Sequence, residues 1–224
     1  MTPRRQAWPS TGRSRFAEVV KALHGEIQHM DRAPLSDMLR AAIVHVLRDY
    51  RRQNPTETPY AFALIMGQAG APIYAVATEQ GLRRTASKYH ELGYRYRGND
   101  GEEFDPRQKL AAWLRWANPD DGWDYGEFPG QFPIQPLLGP LLEGDEFGQD
   151  AEGLEEYFTD VLATLRGTSE LDSLTVGVTY GADPRDFVRT ATKANTDDTV
   201  RRLLSEVSLA NEVESRIKSP GQGT

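Results

Sequence analysis

Two apolar segments, Tyr60–Met66 and Pro72–Thr78, stand close together in the chain with Gly67-Gln-Ala-Gly-Ala between them. Both are short, and both are rich in aromatic or β-branched side chains. With turn residues separating them, they predict a β-hairpin. The flanking chain is patterned differently. Leu35, Met38, Leu39, Ala42, Val46 and Tyr50 recur at helical spacing after Pro34, and Asn54-Pro55 marks the stop, because a proline disfavours helical geometry in the residue before it. Gln80–Leu92 reads as a second helix. Asp105-Pro106 supplies an N-cap and a first-turn proline for a third, which runs through Trp116. An earlier face of Phe16, Val19, Val20, Leu23 and Ile27 predicts a helix over Phe16–His29.

Beyond Trp116 the texture changes again. From Trp116 to Leu165 the chain carries twelve acids and no Lys or Arg, so its net charge of −7 is concentrated there. Asn118-Pro-Asp-Asp-Gly is a turn by its chemistry: a side chain that bonds its own backbone, a preset φ, and a glycine free to take positive φ. Pro129, Pro133, Pro136 and Pro140 then predict an ordered loop with at most short helical turns. Leu154, Tyr157, Phe158, Val161, Leu162 and Leu165 form a clear amphipathic helix ending at Gly167, with Glu152, Glu155, Glu156 and Asp160 off its apolar face as solvated surface. Leu174–Tyr180 reads as a third strand. Asp183-Pro-Arg-Asp starts another helix, and a last one carries Val200, Leu203, Leu204, Val207, Val213 and Ile217. Tyr94–Glu103 reads as a polar loop.

These elements predict an α+β domain over residues 14–218: a small, mostly antiparallel sheet, the hairpin plus at least one further strand, packed with several helices. Residues 1–13 and 219–224 are expected to be disordered. The absence of cysteine excludes disulfides, thiolate metal sites and a cysteine nucleophile, and fits a cytoplasmic protein. No apolar run approaches the length of a membrane span, and the acidic pI argues against nucleic acid as the partner of the whole chain.

Motifs for catalysis and cofactors are missing. His24 and His29 are five apart and do not share a helix face as metal ligands would; His45 with Asp49 reads as an ordinary one-turn pair, and His90 as a helix-end charge. Asn118, Asp120, Gly122 and Asp124 alternate like an oxygen-ligand loop. Trp123 and Pro129, however, occupy the positions a calcium loop reserves for its glycine and its bidentate Glu. The glycine clusters lack phosphate-loop spacing, and neither a nucleophile elbow nor a zinc-protease motif occurs. No catalytic residue, metal or cofactor is therefore assigned. Arg83, Arg84, Lys88, Arg95 and Arg97, interleaved with Tyr89, Tyr94 and Tyr96, could stack on bases, but attraction to the acidic segment explains them equally well.

In chain order, Pro59-Tyr-Ala-Phe-Ala-Leu, Trp116-Ala-Asn-Pro with Trp123-Asp-Tyr, Phe132, the amphipathic helix, the third strand and Lys193-Ala-Asn195 resemble a bacterial family known as domain of unknown function 4303. The resemblance covers about residues 35–205 and implies no activity. Its members look like the small acidic proteins of toxin-immunity sets, an analogy of fold.

The functional expectation is a non-enzymatic protein-binding domain of immunity or antitoxin type. It would neutralise a basic toxin through an acidic aromatic surface made of Asp120, Asp121, Trp123, Asp124, Tyr125 and Glu127. Packing of the same rings into the core is the plainer reading of the aromatics. Two alternatives stand beside it. One is an enzyme with a carboxylate site, in one form metal-assisted, using Asp120, Asp121 or Asp124 with His45 or Arg95. The other is an adaptor that pairs through a sheet edge. Oligomeric state is left open.

Overall fold

A computed structural model of the chain describes residues 32–66, 72–99, 102–116, 122–143, 151–180 and 184–220. The helix expected at Phe16–His29, the turns at Gly67–Ala71 and Asn118–Asp121, and the terminal segments 1–13 and 221–224 lie outside those residues. The described elements are α1 (Ala33–Gln53), β1 (Pro59–Met66), β2 (Pro72–Thr78), α2 (Glu79–Glu91), β3 (Arg95–Tyr96), α3 (Pro106–Leu114), β4 (Trp123–Gly126), α4 (Ile134–Glu143), α5 (Ala151–Thr164), β5 (Thr175–Tyr180), α6 (Pro184–Ala194), α7 (Asp197–Glu214) and β6 (Ile217–Lys218). The fold class is α+β.

Four strands form one sheet in the order β4-β2-β1-β5. The expected hairpin is there, with Phe62 opposite Val76 and Leu64 opposite Tyr74. β4 is antiparallel to β2, and β5 is parallel to β1. Side chains alternate between the faces of a strand, and here the two faces differ in bulk. One presents Phe62, Leu64, Val76, Val176 and Val178 to α1, α4 and α5, where Leu39, Ile43, Leu138 and Phe158 are fully buried. The other presents Ala61, Ala63, Ala75 and Ala77, whose small side chains leave room for Trp116, Trp123 and Phe187. Gly177 continues that small-residue floor: a Cβ there would meet the Phe187 ring and carbonyl at 2.9 Å.

Local chemistry accounts for the helix ends. Asp105 accepts a hydrogen bond from Arg107 N–H, with Pro106 next, and Thr78 accepts one from Gly81 N–H. Gly167 takes φ +86° after α5, and Gly122 takes φ +92° ahead of β4.

Two expectations need correction. The proline-punctuated stretch is not a loop throughout: it opens with strand β4 and continues as helix α4. Pro136 falls in the first turn of α4, where no intrahelical N–H is needed. The single bond lost at Pro140 is offset by burial of Ile134, Leu138 and Leu141. The stretch Tyr94–Glu103 likewise contains a strand: Arg95–Tyr96 pairs with Ile217–Lys218, which is where the last helix was expected to extend.

The two edges of the main sheet are finished differently. On β5, Asn195 donates its side-chain amide to Val176 O (2.6 Å) and accepts from Val176 N–H (3.0 Å). The Thr190 hydroxyl accepts from Val178 N–H at 2.8 Å and lies 2.8 Å from Val178 O. These two side chains of the α6 segment therefore occupy the bonding positions that a fifth strand would need. Among the described residues, β4 has a paired neighbour on one side only, β2.

Candidate functional site

Of the sequence-selected acids and rings, Trp123, Asp124 and Tyr125 lie on β4 and Glu127 directly follows it. Trp123 points into the core. It is 7% exposed, edge-on to Phe187 at 5.5 Å and to Tyr60 at 6.5 Å. Alternation along the strand turns Asp124 to the opposite face, where Tyr50 O–H donates to its Oδ2. Burial first, and then the bond and charge of Asp124, hold the Tyr50 hydroxyl well above its ordinary pKa, so it stays a neutral donor. Tyr125 is 44% exposed and Glu127 is exposed. Asp120 and Asp121 lie outside the described residues.

What holds this edge in place is aromatic. Gly126 sits beneath the Tyr74 ring, so close that a Cβ would lie 2.3 Å from its Cζ. Tyr74 in turn stacks on Phe62 (6.1 Å) and meets Phe128 at 5.4 Å. Phe132 packs on His45 at 5.1 Å. The strand is thus fixed by Trp123 on one face and by the Gly126–Tyr74 contact at its end, and both Tyr125 and Glu127 are displayed from a rigid base.

Beside it, the Glu57 carboxylate accepts from Arg84 at 2.6 Å and from the Thr78 hydroxyl at 2.5 Å. Those bonds, Arg84 first, hold it below the usual carboxylate range. A carboxyl whose folded pKa is depressed stabilises the fold above its unfolded pKa, and the contribution fades as pH falls through the folded value. Glu102 and Glu170 are depressed as well, by a backbone N–H with Lys109 and by Arg48 respectively. Thermal stability should therefore fall as pH drops below about 4.3, the ordinary Glu value. Glu57→Gln should flatten that acid limb in melts taken across the range, and an unchanged limb would count against the assignment.

Many described acids are neutralised by a base: Glu57 by Arg84, Glu79 by Arg115, Glu170 by Arg48, Asp49 by Arg52 and Glu155 by Arg189. Asp124 and Glu127 form no salt bridge among the described residues, although the Arg84 guanidinium is near enough to Asp124 to feel its charge. Glu155 is a correction. It was expected on the solvated face of its helix, yet it is 5% exposed and held by both ends of the Arg189 guanidinium, at 2.5 and 2.6 Å.

Of the residues that the enzyme alternative names, the described ones, His45, Arg95 and Asp124, do not converge. His45 faces Asp49 (3.8 Å) and Gln131 (3.3 Å), while Arg95 donates to the carbonyls of His90 and Tyr94. Neither bonds to Asp124. Among the described residues no group of three His, Asp or Glu side chains could hold a metal. The tyrosines of the basic stretch are turned inward: Tyr89 and Tyr94 pack on Trp113, and Tyr96 on Phe104. Of its arginines, Arg84 is committed to Glu57 and Arg95 to backbone. No described helix is long and apolar enough to cross a membrane.

Sequence reasoning missed the edge itself. Its signal was the alternation of Trp123, Asp124, Tyr125 and Gly126 after a positive-φ glycine, a period too short to stand out among four prolines.

Among known proteins, a family model described as Domain of unknown function (DUF4303) matches residues 39–167. The matched span runs from within α1 to the end of α5 and includes β4; it stops short of β5 and the Asn195 element. No curated protein and no solved structure matches the chain.

Proposed function

The chain belongs to the DUF4303 family, a domain of unknown function, and we propose that it is a non-enzymatic protein-binding domain whose β4 edge receives a basic, extended segment of a partner protein. One observation carries this reading: among the described residues β4 ends the sheet, bearing exposed Tyr125 and the acids Asp124 and Glu127 outside any salt bridge, while the other end of the sheet is sealed by Asn195 and Thr190. A strand added at β4 gains main-chain hydrogen bonds, and Lys or Arg side chains on it meet the two carboxylates. Tyr125 serves as the anchor, because a large ring on a fixed strand loses little freedom on binding. Asp124 and Glu127 act mainly by speeding encounter with a positive surface. In its most specific form the partner is a toxin with a basic surface, neutralised in the cytoplasm by an immunity or antitoxin protein. The regional acidity of the chain supports that form.

The test is to co-express the chain with the product of the gene immediately upstream and measure the purified complex. Tyr125→Ala should weaken binding about tenfold or more. Glu127→Lys should slow association, with the parental complex weakening as salt rises. A complex that forms with unchanged affinity in both variants would remove β4 from the interface, and the lack of any complex would contradict the toxin form of the proposal.

A further inference from the structure

At the start of β5, on the far side of the sheet from β4, two arginine side chains reach the adjacent residues Leu174 and Thr175, and one of them has a buried donor without a partner. Arg166, which follows α5, donates from Nε to Ala194 O (2.9 Å) and from Nη1 to Leu174 O (3.4 Å). Its Nη2 is buried and has no hydrogen-bond partner. Arg202 of α7 reaches the next residue, Thr175, through Nη2 (3.4 Å to Oγ1), and it forms no salt bridge among the described residues. Asp172 is the nearby opposite charge, but its Oδ1 already accepts from Gly167 N–H at 3.1 Å. Burial presses against the charged form of Arg166, Asp172 favours it, and Arg202 opposes it.

A buried donor of this kind calls for a partner, because an unmade charged hydrogen bond is costly. Two arginine forks held at adjacent residues, Leu174 and Thr175, suit the oxygens of a carboxylate or phosphate group, since each fork can present parallel N–H donors. We propose that Arg166 and Arg202 form a binding site for a small oxyanion of phosphate or carboxylate type, held between Nη2 of Arg166 and the Arg202 guanidinium. Arg166 is fixed by its two carbonyl contacts and supplies the preformed half of the site. Arg202 is exposed and supplies the half that closes on the ligand. The site shares no residue with β4, so its failure would leave the partner-binding proposal intact.

The experiment is a thermal melt and a calorimetric titration of the full chain with inorganic phosphate and, separately, acetate, against chloride at matched ionic strength. A saturable rise in Tm with at least one of the two is expected. Arg202→Gln should bind about tenfold to a hundredfold more weakly, as loss of a charged hydrogen bond implies, and should keep the parental Tm in chloride. Arg201→Gln, a neighbouring exposed arginine paired with Asp198, should retain the parental response. No response to either anion, as when a water completes Arg166, would overturn the proposal. So would a response that survives Arg202→Gln.

Discussion

Trp123→Ala should cost about 3–5 kcal/mol of folding stability, the range of a large buried ring removed from a core. The indole fills the space left by Ala61, Ala63, Ala75 and Ala77, against Phe187 and Tyr60, so its loss leaves a void that small neighbours cannot close. Tyr125→Ala, two residues along the same strand, should cost under about 1 kcal/mol, as exposed positions do. Urea unfolding followed by far-ultraviolet circular dichroism separates the two. Equal costs would mean that Tyr125 is as deeply packed as Trp123, against the exposures of the two side chains. The contrast also bears on function: Trp123 acts on the interface by holding β4 in place, and Tyr125 acts by direct contact.

Arg189→Ala should destabilise the protein by about 2–3 kcal/mol, below the 3–5 kcal/mol typical of a wholly buried pair, because the arginine side chain is half exposed. The pair is lopsided. The Glu155 side chain is 6% exposed and the Arg189 side chain 50%. Removing the arginine strands a carboxylate between α5 and α6, whereas Glu155→Ala releases an arginine that can turn to water or to Asp186, 3.3 Å away. Arg189→Ala should therefore be the more damaging of the two in denaturant titrations, and the reverse order would contradict the burial of Glu155.

These two positions also mark the boundary of what a sequence discloses. The hairpin, the Asp105-Pro106 cap and the α5 stripe depend on neighbours within a few residues, and they are legible. Glu155 lies off the apolar stripe of its own helix, and what buries it is α6, some thirty residues further on. Nothing in the α5 periodicity could announce that. The ribbon of β3 and β6 joins two-residue strands from distant parts of the chain, too short for any pattern. Trp123 is a case of two readings that only register could separate. An aromatic in an acidic stretch suits either a core or an interface, and pairing with Ala77 is what turns it inward. Asn195 was visible as part of a motif, but its work in closing the β5 edge depends on the placement of α6. The candidate site was thus legible as a region, through its charge and rings, and illegible as an edge.

On the proposed function, β4 is the surface at which a partner is received. Amide hydrogen exchange, measured on the chain alone and in complex with the partner co-purified from the upstream gene, tests it most directly. Slowed exchange on binding is expected to be concentrated in Trp123–Glu127. Unchanged exchange across that strand, with protection instead on α2 and α3 or at the β3–β6 ribbon, would remove β4 from the interface.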